Sequence, residues 1–544
     1  MIKTSRYLLI LFILILPTFS LMLRNGIYTM HDPHVFRIQQ FDKCIQDRIF
    51  PCRWAADSGK GYGEPMFNYY GQAPYWATQF FITLGFSILN SAKSTFIASL
   101  VLSGFFMFMF SRRHWGVWGG LLSAVLYVYA PYRAVDVWVR GALPEALAFV
   151  LYPLILLSLD LFLEYKKRWH LVSFSLLIAL LVIVHNLSFF MFAPFLFLYW
   201  LYACYSRHDF SSLSSLIPAG LFSFLLAAFY LIPVIFEGNL VTLSQTTTGY
   251  YDYHIHFTTL NELFISRFWG YGASLWARKY LSVSIGQLHW ILPVFILLIV
   301  LLKRKIRGYF WSFIIFAGLG TLALFMTHGK SVFIWNHLPF LKYIQFPWRY
   351  LSIALFFLSF SGGYLARIFS SKIIIIVGLI LTVVINFSFF RPDIWRDITD
   401  QEQFSGPLWD EGRSSSLSDF WPAKSAKLPT DFAPLLPDIS SESGTVLIAN
   451  KKSAGSSYDI MVNSPQAVVT FPIVNFPKWT ATNQNGTLKL YSSGDLGLIT
   501  TVLPAGLNHV TLKLNNTFPR TLGNLISLFT LLSLPLWFIK RKSF

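Results

Sequence analysis

The chain has 544 residues, of which 55% are apolar and 12% charged, and its mean hydropathy is +0.54. Soluble domains carry about 25% charged residues, so the low charge and the long apolar runs exclude a soluble enzyme and indicate a polytopic membrane protein. The formal net charge of +18 does not indicate a nucleic-acid partner, because much of the excess lies in short clusters between apolar runs, where the positive-inside bias places it.

The N-terminus is typical of an uncleaved signal-anchor helix. Lys3 and Arg6 precede a long apolar run, and no small-residue cleavage site after it is convincing. The positive-inside rule then places the N-terminus in the cytoplasm. The loop that starts at Arg24 is therefore expected outside.

The apolar run Ala73–Asn90 has two interpretations, as a span or as an interfacial or re-entrant segment. If it spans, the basic clusters Arg112–Arg113, Lys166–Arg168 and Lys303–Arg307 fall outside, and if it does not, all of them fall inside. The positive-inside rule favours the second interpretation, which we adopt.

With this choice the hydropathy pattern predicts about twelve transmembrane helices. After the N-terminal helix they are expected at residues 95–110, 115–130, 145–162, 171–184, 187–205, 213–236, 285–302, 309–326, 349–368, 373–390 and 522–539. The basic residues that follow the last helix then fall inside. We therefore expect a multi-pass α-helical protein of the cell membrane.

A polar region precedes the last helix and contains short runs of β type separated by turn signals such as Asn485-Gly486. The runs are TVLIAN, SYDIMV, QAVVTFPIV, TLKLYS, LITTVL and HVTLKL. They predict an extracytoplasmic antiparallel β-sandwich. The predicted domains are a transmembrane domain at 1–390 with a large first outer loop at 24–94, the β-sandwich at 391–517, and a C-terminal transmembrane helix with a basic tail at 518–544.

The densest polar segment in the first two-thirds of the chain is the loop Met30–Trp76, which begins with the tetrapeptide HDPH. A carboxylate at Asp32, fixed by the proline that follows, is well placed to act as a general base. It can equally bind a divalent metal together with His31 and His34. The alternative is a solvated turn in which Asp32 caps the following helix.

The three cysteines, Cys44, Cys52 and Cys204, do not have the spacing of a metal site. If the first loop is outside, Cys44 and Cys52 can form a disulfide there. The alternative is a pair of free thiols on an amphipathic helix.

Further along the same loop, the run GKGYGEPMFNYYGQAPYW combines glycines, a second carboxylate and aromatic rings. The glycines permit a tight loop, and Glu64 is a candidate neighbour of an acceptor or a metal. Tyr69 and Tyr70, with the aromatic residues around them, can stack on a sugar face. The alternative is that these rings belong only to the aromatic belt of a membrane interface.

Charged residues at the predicted outer ends of the helices are further candidates. Arg140 and Glu145 enter a membrane helix, where charge is costly and marks function by default; the alternative is a structural ion pair between them. Lys342 and Arg349 lie beside aromatic residues and suit a lipid phosphate, or they only snorkel to the interface. His185 follows the fifth helix, where a lone histidine is more often a structural residue.

A loop containing Asp252, His254 and His256 is a further candidate for a metal site. The sequence has no Ser-His-Asp order, zinc motif or Walker motif. An ATP-driven pump is therefore not expected.

Several segments, taken in order along the chain, resemble known families. They are GYGEPMFNYYGQAPYW, RGALPEALAFVLYPL, IQFPWRYL, NFPKWT, LPAGLNHVTL and TLGNLISLFTLLSL. With the long outer loop and the many short-looped spans, they resemble the GT-C superfamily of membrane glycosyltransferases. More narrowly, they resemble the YfhO-like bacterial membrane proteins and the related group described as 6-pyruvoyl-tetrahydropterin-synthase-related membrane proteins, a label to which we attach no pterin chemistry.

The resemblance implies transfer of a sugar from a polyprenyl-phosphate carrier to a cell-envelope acceptor, a glycan, lipid or protein, on the extracytoplasmic face. Asp32 matches the acidic residue early in the first outer loop that acts as base in GT-C enzymes. It is flanked by proline and histidine instead of a second acidic residue, so the need for a divalent metal stays open. From their place at the outer edge, the candidates for binding the carrier phosphate are Arg140, Lys342 and Arg349, with Glu145, His185, Tyr69 and Tyr70 in support.

The competing hypothesis is a non-catalytic membrane protein, either a lipid or polysaccharide transporter or an assembly scaffold. A transporter more often places charges near the middle of its spans, whereas here the polar groups gather at the outer ends, which favours an enzyme. The two hypotheses are distinguished by whether Asp32, Arg140, Glu145 and Arg349 converge on one outer cavity.

Overall fold

Helices form most of the chain. The computed structural model describes residues 2–275, 278–303, 309–415, 419–440 and 444–538. The longer α-helices are Ile2–Ile15, His34–Gln46, Ala73–Thr83, Ile88–Val128, Leu143–Tyr165, Arg168–Val184, Asn186–Ser206, Leu216–Leu226, Ala228–Glu237, Gln287–Lys303, Phe310–Thr327, Leu351–Gly362, Lys372–Asn386, Gly406–Ser414 and Phe518–Phe538. Shorter helical segments near the site are Met66–Tyr69, Pro131–Ala134, the π-helix Val135–Arg140, Val332–His337 and the 3-10 helices Pro339–Ile344 and Pro347–Tyr350.

Six of the described helices are long and apolar enough to cross a membrane. They are Ile88–Val128, Leu143–Tyr165, Asn186–Ser206, Phe310–Thr327, Pro347–Ile368 and Lys372–Phe389. A seventh is added if Phe210–Leu226 and Ala228–Leu240, which are bent by 77°, form one broken span. The predicted count of twelve is therefore not confirmed. Each predicted position carries a helix, but several of these helices are shorter than the 20 residues or so that a simple span needs.

The helix Ile88–Val128 is broken at Gly116, whose φ of 75° and ψ of 179° lie outside the helical region. A straight helix would separate residues 104 and 128 by about 36 Å. Instead, a Cβ placed on Gly104 would lie 3.1 Å from Cγ2 of Val128. The two arms therefore lie side by side, and the predicted spans at 95–110 and 115–130 fall on separate arms.

The ambiguous run after residue 73 forms a helix of its own, Ala73–Thr83, with 11 residues. Gly85, with a φ of 91°, separates it from the next helix. Such a helix is about 16 Å long, whereas the hydrocarbon core of a bilayer is about 30 Å thick. This agrees with the prediction that the run does not span the membrane by itself.

The C-terminal region forms one curled antiparallel sheet of seven strands in place of the predicted two-sheet sandwich. The strands are Asp438–Ile439, Gly444–Lys451, Gly455–Val474, Trp479–Asn483, Gly486–Leu488, Tyr491–Ser493 and Leu498–Leu514. The predicted runs SYDIMV and QAVVTFPIV belong to one long strand, and LITTVL and HVTLKL to another. These two long strands pair with each other, and a register shift between Pro504 and Gly506 interrupts the pairing. Bulges of this kind bend a strand, so one sheet can curl over its own core.

The first loop lies between the helices and this sheet. The Trp54 ring packs against Trp479 of the sheet, with centroids 5.4 Å apart, and the Val474 N–H donates to the Tyr62 carbonyl oxygen at 3.0 Å. On the other side, Nη2 of Arg53 donates to the Asn524 side chain of the last helix at 2.8 Å. The loop is thus held from both sides over one end of the helical bundle.

Two short pairings complete the structure around this end. Strand Ile27–Tyr28 pairs with Trp395–Arg396, which attaches the start of the first loop to the segment that follows the bundle. Strand Tyr271–Leu275 pairs with Arg278–Leu281 to form a hairpin beside the loop.

Candidate functional site

A cavity of about 1040 Å³ opens where the first loop meets the ends of the helices. Its wall combines residues of the first loop, several helix ends, the hairpin and the segment that begins at Asp419. The polar and aromatic residues of the lining include His31, Asp32, Arg37, Tyr69, Tyr70, Arg140, His185, Asn186, Tyr250, Tyr251, Trp348, Arg349, Asp419 and Phe420. Most of the predicted site residues therefore lie on one cavity.

Asp32 is held at this cavity by its main chain. Its backbone N–H donates to the Arg140 carbonyl oxygen at 2.9 Å, and the N–H of His31 donates to the Val139 carbonyl oxygen at 3.1 Å. The side chain of Asp32 is 39% exposed. Among the described residues no side chain caps the helix His34–Gln46, whose N-cap is Pro33. The capping alternative for Asp32 is therefore wrong, and its carboxylate stays accessible from the cavity.

The two histidines beside Asp32 differ in their surroundings. His31 is exposed, and its Nε2 hydrogen-bonds to the Tyr271 carbonyl oxygen at 2.5 Å. His34 is buried against Tyr75, with Nδ1 3.2 Å from the hydroxyl oxygen, and is not part of the cavity wall. Burial, reinforced by the charge of Arg37, holds the pKa of His34 well below its usual range, so this imidazole is neutral near pH 7.

The sequence leaves the need for a divalent metal open, and the part of the chain that the structure describes shows no donor set for one. No group of three or more His, Cys, Asp or Glu side chains lies close enough there to hold an ion. In the candidate loop at 252–256, Asp252 instead accepts from His254, and His256 is bound to the Ser274 carbonyl oxygen. We derive no chemical step through a metal.

Arg140 lies at the centre of a buried charged network. Its Nη1 donates to Glu145 at 2.6 Å, to Asp136 at 3.2 Å and to the Tyr132 hydroxyl at 3.3 Å, and the guanidinium lies 4.9 Å from the centre of the Trp348 ring. The ion pair between Arg140 and Glu145 is thus present, as one of the two interpretations expected, and Arg140 also lines the cavity. Glu145 is not itself part of the lining and is connected to the cavity through Arg140.

Arg349 and Lys342 lie in the same short segment but have different surroundings. Arg349 lines the cavity, and its Nη1 donates to the Ile344 carbonyl oxygen and to Gln345, at 2.8 and 3.1 Å. Among the described residues no ion pair with a carboxylate within 4.0 Å is found for Arg349, and its Nε is buried without a hydrogen-bond partner. Lys342 is exposed, lies over the Tyr343 ring and is not part of the lining. The structure therefore does not bring Lys342, a predicted phosphate-binding residue, to the cavity wall.

His185 precedes the helix Asn186–Ser206, which begins at the cavity wall. Its Nδ1 lies 2.6 Å from the Ser188 hydroxyl oxygen. Burial lowers the pKa of His185 to about 4, so the ring is uncharged near pH 7. The free N–H groups at the start of a helix carry partial positive charge, which adds to that of the arginines.

Tyr69 and Tyr70 also line the cavity. The Tyr69 ring is parallel to that of Phe420, with centroids 6.2 Å apart, and its hydroxyl donates to the Glu237 carbonyl oxygen at 2.7 Å. The Tyr70 ring lies 4.7 Å from the guanidinium of Arg37. Both rings are thus oriented by protein contacts and border the cavity.

Glu64 is fully buried and lies outside the cavity lining. It accepts a hydrogen bond from the Ser58 hydroxyl at 2.5 Å. Burial raises the pKa of Glu64 to about 8. The prediction that Glu64 contacts an acceptor or a metal is wrong, because the chain folds this carboxyl away from the cavity.

Two charged residues of the lining, Arg37 and Asp419, were not predicted. Arg37 shares one face of its helix with Phe41 and Cys44, all of them buried. A charge on an apolar helix face is unusual, so periodicity alone could have identified it. Asp419 carries no such signal, since it comes from a Ser-rich segment far along the chain and reaches the cavity only through the tertiary fold.

Comparison with known proteins assigns the family. A family model described as 6-pyruvoyl-tetrahydropterin synthase related domain, membrane protein, matches residues 67–391. This range contains Arg140, His185 and Arg349 but neither Asp32 nor Asp419. No curated protein matches the chain. Because the match covers more than half of the chain, the protein belongs to the family of membrane proteins with a 6-pyruvoyl-tetrahydropterin synthase related domain.

Proposed function

We propose that the protein is a membrane glycosyltransferase of the GT-C type, which moves a sugar from a polyprenyl-phosphate carrier to an acceptor in the cell envelope. The observation that carries the proposal is that Asp32, Arg140 and Arg349 line one cavity of about 1040 Å³, with Glu145 bound to Arg140. The cavity therefore offers the accessible carboxylate of Asp32 and the guanidinium groups of Arg140 and Arg349 to the same ligand, and Arg37 and Asp419 line it as well.

The guanidinium groups suit the phosphate of the carrier. Arginine presents a planar set of donors that matches phosphate oxygens. Among the described residues the hydrogen bonds of Arg349 go to neutral acceptors, so a phosphate can pair with the guanidinium directly. The helix Asn186–Ser206 begins at the cavity wall, and the partial positive charge at the start of a helix suits an anion.

The reaction follows as a single displacement. Asp32 accepts the proton of an acceptor hydroxyl while that oxygen forms a bond to the anomeric carbon of the sugar. The bond from the anomeric carbon to the phosphate oxygen breaks, and polyprenyl phosphate leaves with the electron pair. Arg140 and Arg349 stabilise the charge that develops on the phosphate. One carboxylate is sufficient, because no covalent intermediate with the enzyme forms.

Two features support a cavity on the extracytoplasmic face of a multi-pass protein. Basic residues concentrate at the opposite end of the helices, where Arg113 pairs with Glu164 and Arg207 with Asp160, and the positive-inside rule places such an end in the cytoplasm. The first loop contains a disulfide between Cys44 and Cys52, a bond that persists mainly outside the cytosol.

The experiment uses sealed membrane vesicles with the full chain and a panel of polyprenyl-phosphate sugars labelled in the sugar. The proposal expects label in a product that is no longer extractable as the carrier lipid. If label crosses the membrane while still attached to the carrier, the protein is a transporter. If label neither moves nor transfers from any donor in the panel, the scaffold hypothesis replaces the proposal.

A further inference from the structure

One carboxylate of the cavity wall has no part in the proposed displacement. Asp419 lines the cavity, but the proposed base is Asp32, and a single displacement needs no second carboxylate. The segment that carries Asp419 also lies outside residues 67–391, the range that the family model matches. Asp419 is therefore a candidate for recognising a ligand that this chain binds beside the donor.

The stretch directly after Asp419 is fixed to the cavity from two sides. The Trp421 carbonyl oxygen accepts a hydrogen bond from the Thr242 N–H at 3.1 Å, and Thr242 is itself part of the lining. The Trp421 ring is buried and lies so close to Gly59 of the first loop that a Cβ on Gly59 would be 2.6 Å from the ring. Asp419 is thus attached to a firmly placed edge of the cavity, two residues before this anchor.

Aromatic side chains of the lining lie near Asp419. The ring of Phe420, the next residue, lies with its centroid 6.3 Å from that of Tyr70, and both rings line the cavity. Burial, followed by the charge of Asp419, raises the pKa of Tyr251, so the carboxylate is also near this phenol of the lining. One part of the cavity wall therefore combines a carboxylate with three aromatic side chains.

Arg37 connects this part of the wall to the proposed base. Burial alone would lower the pKa of Arg37, but nearby acidic groups, with Asp32 and Asp419 among them, raise it above its ordinary value. The guanidinium lies 4.7 Å from the centre of the Tyr70 ring. A ligand bound at Asp419 and Tyr70 is therefore next to the same guanidinium as the base.

We propose that Asp419, Phe420, Tyr70 and Tyr251 form the acceptor subsite and that the acceptor is a carbohydrate, which presents one of its hydroxyl groups to Asp32. The inference rests on the proposed function, which supplies the donor and the base. It narrows the acceptor from a glycan, lipid or protein to a glycan. The hydroxyl oxygen of the acceptor sugar forms the new bond to the anomeric carbon, its proton goes to Asp32, and polyprenyl phosphate leaves with the electron pair.

The acceptor needs side chains other than those that bind the phosphate. In an inverting displacement the acceptor approaches the face of the sugar opposite the leaving group. The guanidinium of Arg140 lies 4.9 Å from the centre of the Trp348 ring, and that of Arg349 lies 4.9 Å from the centre of the Phe346 ring. Neither ring is among those assigned to the acceptor, so the two subsites use different side chains of one cavity.

The chemistry of this wall suits a sugar better than a lipid or peptide acceptor. A carboxylate offers two oxygens to neighbouring hydroxyl groups, while aromatic rings contact the apolar C–H face of a pyranose. A diacylglycerol has one free hydroxyl, which the base takes, so it leaves Asp419 without a donor. A peptide backbone presents carbonyl oxygens as well as N–H groups, and a carboxylate binds only the N–H groups.

Binding in the absence of a donor is the first test. We would titrate the full chain in nanodiscs with methyl glycosides of hexoses and N-acetylhexosamines and follow binding by saturation-transfer difference NMR. We expect at least one glycoside to bind, with a Kd that rises roughly tenfold or more in Asp419→Asn. Tyr251→Leu, which removes a ring and keeps the carboxylate, should weaken the same glycoside.

The control is Asp431→Asn, because Asp431 is an exposed carboxylate that does not line the cavity. It should bind the glycoside as wild type does. If no glycoside binds to wild type, or if Asp419→Asn and Tyr251→Leu both bind as wild type does, the acceptor subsite is wrong.

Transfer separates the subsite from the proposed function. Labelled polyprenyl-phosphate sugars are supplied with the methyl glycosides, with a peptide containing serine and threonine, or with diacylglycerol. We expect label in a glycoside, with a KM for that glycoside that is roughly tenfold or more higher in Asp419→Asn. If label enters the peptide or the diacylglycerol instead, or if Asp419→Asn keeps the wild-type KM, the subsite is wrong and the proposed function stands. If glycosides bind in a manner that depends on Asp419 and no donor transfers its sugar, the carbohydrate site stands and the proposed function is wrong.

Discussion

The backbone N–H of Asp32 donates to the carbonyl oxygen of Arg140 at 2.9 Å. The residue proposed as base and a residue proposed to bind phosphate are therefore joined through the main chain, although they come from distant parts of the sequence. A side-chain substitution at either position leaves this hydrogen bond intact. At Asp32, whose side chain is 39% exposed, such a substitution changes the chemistry of the cavity with little effect on packing, whereas at Arg140 it also breaks a buried network.

Arg349 and Lys342 provide a matched pair for the phosphate site. Arg349→Gln removes a charge from the cavity wall, and a hydrogen bond to a charged group contributes about 1.5–3 kcal/mol. We expect the KM for the lipid donor to rise roughly 10- to 100-fold, and Lys342→Gln to have little effect because Lys342 does not line the cavity. Steady-state kinetics over a range of donor concentrations measures both. Equal effects of the two substitutions would remove Arg349 from the site.

The network around Arg140 should be important for stability as well as for binding. Arg140→Met leaves the buried carboxylates of Glu145 and Asp136 without their shared partner, and breaking a buried ion pair in this way costs about 3–5 kcal/mol. In thermal unfolding in detergent, Arg140→Met should lower the unfolding temperature strongly. Adding Glu145→Gln to this variant should lower it further by a smaller amount. If the loss of stability in the double variant equals the sum of the losses in the two single variants, the two side chains are not coupled.

Glu64 should make stability depend on pH. Burial raises its pKa to about 8 from an ordinary value of 4.5, so between these values the folded chain binds a proton that the unfolded chain has released. Its stabilising contribution is complete below pH 4.5 and is lost as the pH rises toward 8, by at most about 1.4 kcal/mol per pH unit.

The control for this prediction is Glu64→Gln, which keeps an uncharged partner for Ser58. The free energy of unfolding, measured from pH 5 to pH 9, should fall less steeply in the variant, which should be the more stable protein near pH 8. Identical slopes for the two proteins would show that Glu64 is ionised in the folded state at neutral pH.

Cysteine chemistry tests the location of the first loop. Cys44 and Cys52 are joined in a disulfide, and Cys204 is free. Alkylation in denaturant should therefore modify only Cys204 without reductant, and all 3 cysteines after reduction. Peptide mass spectrometry identifies the modified residues. Modification of Cys44 and Cys52 without reductant would contradict a loop exposed to an oxidising compartment.

Hydropathy was a good guide to where helices occur and a poor guide to their lengths. The runs at 171–184 and 285–302 are helical as predicted, but Arg168–Val184 and Gln287–Leu302 are too short to count as simple spans. The break at Gly116 separates two predicted spans, and the residues on both sides of it are helical. In the sheet, the alternation of apolar and polar residues located the strand-forming runs. It did not show that two of these runs join into the single strand Gly455–Val474.

At the site, a residue could be predicted from the sequence only where its immediate neighbours in the chain make it unusual. Asp32 was identified because the tetrapeptide around it is polar between apolar segments, and Arg140 because it enters a membrane helix. Lys342 and Arg349 have the same aromatic neighbours in the sequence, so only the path of the 3-10 helices Pro339–Ile344 and Pro347–Tyr350 separates them. Asp419 reaches the cavity through tertiary contacts, for which the sequence around it holds no pattern.

The most direct test of the central claim is sugar transfer by Asp32→Asn, a substitution that keeps the size of the side chain and removes its charge. Asp252→Asn is the control, because Asp252 is similarly exposed (45%) but does not line the cavity. In membranes with equal amounts of each protein, we predict that Asp32→Asn loses transfer by a factor of roughly 10²–10⁴, while Asp252→Asn transfers as wild type does. Transfer by Asp32→Asn at the wild-type rate would contradict the account, since Asp32 would then not be the base.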